Sequence, residues 1–291
     1  MLTVNPNNRL KGNLPAVEPP LWAGLTASYL GATLLDAEAH DMSVNETADY
    51  INTIHPEEDV IIVVMGNNPS VSSTPKMPVA IELASKLPDR KVTFTGIHPI
   101  AVDYPNTIKN PFLGTPKMPW EQIDLPLYRA HNWHCLDGSP RTPYASIYTS
   151  LGCPYSCYYC NIQTLYGKPQ ITYRPLTDIY NDLLYLKDEG VRNLKIWDEM
   201  FALEEDRVVD ICNLMGKDNF NAWAYARLDR ITPLMLQSMK YAGINWVAYG
   251  FESTRDKKFV NPDKAIKMTR DAAINIMAKT VARRRVPAEK D

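Results

Sequence analysis

Thr149-Ser-Leu-Gly-Cys-Pro-Tyr-Ser-Cys-Tyr-Tyr-Cys160 is the stretch on which the reading of this chain turns. It places Cys153, Cys157 and Cys160 within eight residues, spaced Cys-x3-Cys-x2-Cys. Cysteine thiolates are the usual ligands of iron–sulfur clusters. Three of them on one short loop can hold three irons of a cubane and leave the fourth iron open to a small-molecule ligand. A structural zinc site is the other chemistry to weigh. Zinc closes its shell with four ligands, commonly two Cys-x2-4-Cys pairs. Here the two remaining cysteines, Cys135 and Cys212, are isolated, and His131 and His134 precede the triplet by about twenty residues.

Outward from the loop the chain reads as strands alternating with helices. Ala145–Thr149 is a strand that ends at the cysteines. Leu176–Glu189 is a helix capped near Thr177 and stopped by Gly190, and Asn193–Trp197 is a strand ending in Asp198-Glu199. Glu204–Met215 is a helix, and Ala222–Ala226 a strand ending at Arg227. Thr232 caps a helix with Pro233 at its first position and Gly243 after it. Trp246–Tyr249 is a strand ending at Gly250-Phe-Glu252, and Ala265–Lys279 closes as a helix. Functional residues of β/α barrels gather at the C-terminal ends of strands. Four strand ends here deliver cysteines, Asp198 and Glu199, Arg227 and Asp229, and Glu252 and Ser253.

Before the loop, Leu2–Val4, Ala32–Asp36, Val60–Met65 and Lys91–Thr95 read as strands, with helices over Pro20–Leu30, Val44–Ile54 and Val79–Leu87. Ser43 and Glu46 have the spacing of a capping box. The unbroken β-branched run Val60–Val64 marks a parallel strand buried on both faces. Strands separated by helices predict a doubly wound, Rossmann-like parallel sheet. From Pro99 to Pro143 prolines recur and Trp120, Tyr128 and Trp133 are interleaved. That composition predicts a linker packed over a domain junction rather than a solvated segment. The expected fold is thus α/β throughout: a doubly wound domain at 1–110, a Pro/aromatic-rich linker at 111–143, and a partial TIM-type β/α barrel at 144–291.

The cysteine spacing, the Ser150-Leu-Gly-Cys-Pro-Tyr155 context and Tyr159 before the third cysteine resemble the radical S-adenosylmethionine (SAM) superfamily. The N-terminal part resembles the cobalamin-binding domain of one large subgroup, through Val4-Asn-Pro6, Pro19–Leu25, Leu34–Glu38 and Gly96–Pro99. The resemblance implies a [4Fe-4S] cluster on Cys153, Cys157 and Cys160, and SAM on its open iron. It implies that Asp198 and Glu199 lie near the SAM amino group and that Arg227 pairs with the methionyl carboxylate. Glu252 would bond the ribose and Tyr159 would lie along the adenine. The implied activity is reductive cleavage of SAM to a 5'-deoxyadenosyl radical for hydrogen abstraction, with cobalamin-dependent methyl transfer or cyclisation as outcomes. An external donor such as flavodoxin or ferredoxin would supply the electron, and the substrate is an unidentified small molecule.

Two departures from the family pattern stand out. The Asp-x-His-x-x-Gly motif that supplies cobalt's lower ligand is absent, since His40 follows Asp36 by four positions. Many members of the subgroup lack that motif, so cobalamin binding stays open. His40, His55 and His98 read as surface or loop histidines. Family barrels have six strands, four are legible here, and the glycine-rich strand-five motif is missing. A truncated chain, or a partner or dimer that completes the barrel, is the expectation. The alternative function is an inactive cluster- or SAM-binding fragment or subunit.

Bulk composition excludes other classes. The chain of 291 residues is 45% hydrophobic and carries a formal net charge of −2. That balance gives no general drive toward nucleic acid or anionic membrane. The basic run Arg283-Arg-Arg285 reads as a solvated helix end. No secretion signal and no run near the roughly eighteen apolar residues of a membrane span is visible. A loop triplet plus two lone cysteines is not a disulfide framework, which fits the cytoplasm.

Overall fold

Val60-Ile-Ile-Val63 sets the first sheet. In the computed structural model it is strand β3, flanked by β1 (Leu2–Asn5), β2 (Thr33–Asp36) and β4 (Val92–Thr95). All are parallel, in the order β2-β1-β3-β4. The structure describes residues 1–8, 16–65, 69–157, 160–217, 219–227 and 230–249, with backbone alone at 69–75. Alternation in β3 sends its side chains into two buried clusters. Val60 and Ile62 join Val44, Ile51 and Leu83, whereas Ile61 and Val63 join Leu21, Trp22 and Leu25. A strand covered on both faces is what the β-branched run predicted. Helices α1 (Leu21–Leu30), α2 (Val44–Ile54) and α3 (Pro69–Ser85) connect these strands, and a short α4 (Ile97–Ala101) follows β4. Ser43 and Glu46 close the capping box at the start of α2.

The segment between the halves is ordered and packed. It makes three 3-10 turns, at Trp120–Gln122, Leu125–Leu127 and Asn132–Cys135. Tyr128 donates to Asp36 at 2.8 Å, and Trp120 Nε1 donates to Asp182 at 2.9 Å. The segment therefore joins the end of β2 to the second half.

The second half runs through β5 (Tyr144–Ile147), β6 (Ser150–Cys153), α5 (Ile162–Tyr166), β7 (Gln170–Tyr173) and α6 (Leu176–Asp188). It continues as β8 (Asn193–Ile196), α7 (Glu205–Met215), β9 (Asn221–Ala226), α8 (Pro233–Tyr241) and β10 (Ile244–Tyr249). Strands β5, β8, β9 and β10 form a parallel sheet in the order β10-β9-β8-β5. Register places Tyr144, Asn193 and Asn221 in one row across the sheet, and Ser146, Lys195, Trp223 and Trp246 in the next. Tyr225 and Ala248 come one row further along, beside Tyr148 and Trp197 just past the ends of β5 and β8. One face of the sheet is thus rowed with polar and aromatic side chains. Leu194, Ile196, Ala222 and Ala224 alternate to the other face and share a core with the apolar sides of α6, α7 and α8.

Three expectations are corrected. Helix α3 starts at Pro69, ten residues before the predicted Val79, because Pro75 and Pro78 lie inside it and read as breakers. Thr177 does not cap α6, whose N-cap is Pro175 with no side-chain capping bond. Between Thr149 and α6 the chain inserts an antiparallel pair, β6 with β7, where no strands were expected. Residues Tyr159, Asp229, Glu252, Ser253 and the predicted helix Ala265–Lys279 lie outside the described residues.

Candidate functional site

The cysteine loop leaves the end of β5 and is held by the β6–β7 pair. Gly152 in β6 has φ +89°, and a Cβ there would sit 2.5 Å from the Gln170 carbonyl oxygen. Only glycine lets the two strands approach so closely just before Cys153. On the far side of the loop, Gln163 of α5 donates to the carbonyls of Cys153 (2.9 Å) and Tyr155 (2.7 Å). A turn from Cys157 O to Cys160 N (3.0 Å) shapes the last part. Cys153 and Cys157 are half-buried and Cys160 is exposed. Burial pushes the Cys153 thiol up, with Cys160 and Cys157 adding to it. Cys153 is therefore a thiol until positive charge arrives, as an iron would bring.

Both acidic residues after β8 face this loop. Asp198 is buried, and accepts from Thr149 N–H (2.6 Å), from the Thr149 hydroxyl and from Ser150 Oγ (2.7 Å). Burial raises its pKa, and the bonds from Thr149 and Ser150 oppose that rise. Its oxygens lock the end of β5 to the start of β6. Glu199 accepts from Gly152 N–H at 3.1 Å and from the Tyr166 hydroxyl at 3.0 Å. Burial lifts the Glu199 carboxyl to about 7. An ammonium brought beside it would restore the charged form.

Arg227, at the end of β9, completes the arrangement. Its guanidinium lies 3.7 Å from Cys157 Sγ and 4.3 Å over the Tyr155 ring. Arg230 also lies over that ring, at 5.6 Å, and bonds the Tyr155 hydroxyl. The structure thus brings Cys153, Cys157, Cys160, Glu199 and Arg227 to one end of the parallel sheet, with Asp198 behind them. Among the described residues no three His, Cys, Asp or Glu side chains gather around one point as a single ion requires. A cubane takes each thiolate on a separate iron, and the donor set of three cysteines facing a guanidinium suits an anionic cluster.

Several participants were not predicted. Gln163, Tyr166 and Tyr155 sit on pieces of chain too short to carry a periodic signal. Arg207 bonds the carbonyls of Thr149 (2.9 Å) and Arg174 (2.8 Å), tying α7 to both ends of the β6–β7 pair. Lys195, a cation inside the apolar strand Asn193–Ile196, carried a readable signal, because a buried ammonium needs a partner. That partner is Glu18, at 2.9 Å.

The doubly wound parallel sheet followed by a β/α sheet is similar in fold to solved cobalamin-containing radical SAM enzymes. The chain superposes on TsrM from Kitasatospora setae, a radical SAM methyltransferase solved with cobalamin and a [4Fe-4S] cluster, with TM-score 0.60 and 15% identity. That match covers 88% of this chain and 62% of TsrM. A second TsrM structure, with tryptophan substrate and the SAM analogue aza-SAM, gives TM-score 0.62 at 13% identity over 93% of this chain and 65% of that one. OxsB, solved with aqua-cobalamin and SAM, gives 0.59 at 16% identity, covering 88% of this chain and 44% of OxsB. In sequence the chain is similar to uncharacterized methyltransferase PH0819 of Pyrococcus horikoshii, 24% identical over 139 residues. It is also similar to MJ0865 of Methanocaldococcus jannaschii, provisionally named a methylthiotransferase, 27% identical over 158 residues. Each sequence match covers 45% of this chain, and only 30% and 34% of the respective relative. No protein-family profile matches the chain. No described helix is long and apolar enough to cross a membrane.

Proposed function

We propose that this chain is a radical SAM enzyme of the methyltransferase type, with Cys153, Cys157 and Cys160 holding a [4Fe-4S] cluster. The observation that carries the reading is the convergence of three cysteines, Glu199 and Arg227 from three neighbouring strand ends. Bound there, the cluster and SAM supply one-electron chemistry, with SAM as the source of a methyl group or a deoxyadenosyl radical.

The chain's own residues bind and orient. Glu199, buried and near neutrality, is placed to pair with the SAM ammonium. Arg227 offers a planar fork suited to a carboxylate and sets positive charge beside Cys157. Asp198 positions the loop by holding Thr149 and Ser150. Tyr159 and Glu252 are proposed for the adenine and the ribose on sequence alone. The proposed division is 1–110 for the cobalamin-type half, 111–143 for the linker and 144–291 for the SAM half.

The place for cobalamin is the cleft at the C-terminal end of the first sheet, lined by Asn5, Trp22, Val63, Met65, Lys76 and Trp197. Its cavity volume is about 20 Å³, far below the roughly 300 Å³ at which drug-sized ligand sites begin. A corrin is far larger, so the cleft has to widen to admit one. The cytoplasm, and a flavodoxin or ferredoxin as electron donor, belong to the same proposal.

The test is anaerobic. The protein is reconstituted with iron and sulfide, given SAM and dithionite, and analysed for 5'-deoxyadenosine and for methylated product beside a Cys157→Ala control. Cluster and product in the parent alone support the reading. A cluster with bound SAM and no turnover favours a binding fragment or subunit, and a parent that takes up no iron sinks the proposal.

A further inference from the structure

Strand β4 is an edge of the first sheet among the described residues, and only part of that edge is covered. The carbonyls of Lys91, just before β4, and of Thr95 accept from Val60 N–H (3.0 Å) and Val64 N–H (2.8 Å). The backbone groups of odd positions therefore face β3, and those of Val92 and Phe94 face outward. At Phe94 they are used: its N–H donates to the Asn106 carbonyl at 2.9 Å, and Ile108 N–H donates to its carbonyl at 2.8 Å. One rung lower the pairing stops. Asn106 has φ +56°, a left-handed turn that brings the chain in from the side, and no described strand runs beside Val92. The place beside Val92 is a groove of about 360 Å³ between β4 and the end of α3, whose lining includes Leu87, Arg90, Lys91, Val92, Thr93 and Asn106. A strand edge with unused N–H and C=O groups is a template for another strand.

The groove is basic. None of its lining residues is acidic. The exposed Lys91 ammonium meets Asp59 at 3.3 Å. The half-buried Arg90 has no partner for its guanidinium among the described residues. A second copy of the chain, paired edge to edge, would set these cations against their own images, and like charges opposite each other across strands repel. A small anion would meet Arg90 and leave Val92 open. We infer that the groove takes an extended acidic segment of a partner protein. The segment adds as a strand along Lys91–Thr93, pairs with the Val92 N–H and carbonyl, and sets a carboxylate on Arg90. The groove lies at the N-terminal end of β4, whereas Asn5 and Met65 line the cleft at the opposite end of the sheet. A partner held here therefore leaves that cleft open. The inference goes beyond the function proposed above and does not rest on it.

The probes are acetylated and amidated pentapeptides with valine, isoleucine or threonine around a central glutamate, together with their glutamine counterparts. Two further glutamate forms are methylated on one or the other alternate set of backbone nitrogens. Binding to the full chain is followed by the shift of the Val92 amide in two-dimensional NMR. Glutamate peptides are expected to move that amide and to bind about fivefold more tightly than the glutamine forms, the difference between a charge-assisted and a neutral hydrogen bond. Arg90→Ala should lose this preference and unfold in urea as the parent does, since the side chain has no partner to leave behind. One of the two methylated forms, the one whose N–H groups face β4, should lose binding. The absence of a saturable Val92 shift with every glutamate peptide at millimolar concentration, or equal binding of glutamate and glutamine forms, overturns the inference. If both methylated forms bind like the unmodified peptide, Arg90 is an anion site without strand addition, and the inference falls. Dimerisation of the parent in sedimentation, reversed by the peptides, makes a second copy the occupant and overturns it as well.

Discussion

Gly152 and Glu199 face each other across a 3.1 Å hydrogen bond, and each is replaceable by a test of one atom or one charge. Alanine at 152 would put a Cβ at φ +89° and 2.5 Å from the Gln170 carbonyl oxygen. Backbone must move, at a cost of order 1–3 kcal/mol, and it moves beside the first cysteine. G152A is expected to fold with reduced stability and to retain well under half of the parent's iron after reconstitution, measured by iron and sulfide analysis. Glu199→Gln keeps shape and both hydrogen-bond partners but removes the carboxylate. It should load iron as the parent does and bind SAM roughly 10- to 100-fold more weakly by calorimetry, the range for a charge-assisted bond in a buried site. Parent-like SAM affinity in E199Q would take Glu199 out of the SAM site.

At the scale of elements, much of both sheets was legible. Val60–Val63 announced a two-faced strand by composition, Ser43 and Glu46 announced the start of α2, and Thr232-Pro233 that of α8. The β6–β7 pair was illegible for a physical reason. Its strands of four residues each are held by Gly152 and by Arg207 from a distant helix, so local sequence carries almost none of the stabilisation. Helix α3 was misread because Pro75 and Pro78, which weigh against a helix locally, lie inside it. Of the candidate site, the cysteines and the strand-end positions of Asp198, Glu199 and Arg227 could be read. Their partners Tyr166, Gln163 and Thr149 could not, since contacts between elements decide them.

The 3-10 turn Asn132–Cys135 shows what such a contact does. His134 is fully buried, with Nε2 2.8 Å from the Asn221 carbonyl, while Asn221 Nδ2 returns a bond of 2.7 Å to the His134 carbonyl. Facing a carbonyl, Nε2 carries the proton of a neutral imidazole. Burial lowers the His134 pKa to about 4, whereas the unfolded value is 6.5. Between those values the unfolded chain takes up a proton that the folded chain refuses, so stability falls as pH drops from 6.5 toward 4 and levels off below. Urea unfolding at pH 5 should show about 2 kcal/mol less stability from this residue than at pH 7. In His134→Gln the pH 7 to 5 difference should shrink by that amount. An unchanged difference would mean that His134 is not the group responsible.

Across the whole molecule, one buried ion pair spans the two halves. Lys195 and Glu18 are 2% exposed at their side chains and lie 2.9 Å apart, with Trp197 Nε1 also donating to Glu18 at 3.1 Å. Glu18 stands just before α1, and Val17 pairs with Arg129 of the intervening segment, so three stretches of chain meet at one carboxylate. The same buried cluster contains Leu21 and Trp22 of α1, Trp120 and Tyr128 of the segment, and Leu194 and Trp197 of the second half. The halves therefore share a core, and Lys195 of the second sheet rests on an anion that comes from the other half. Lys195→Met leaves the Glu18 carboxylate buried without its cation, which costs about 3–5 kcal/mol. Glu18→Leu combined with Lys195→Met removes both charges and should recover most of that loss, because an apolar replacement of a buried pair is often neutral. If the pair couples the halves, K195M lowers the stability of both in a single urea transition, followed by tryptophan fluorescence and by far-ultraviolet circular dichroism. Two separated transitions, with the first sheet unaffected, would show that the halves stand independently and that Glu18 serves the second sheet alone.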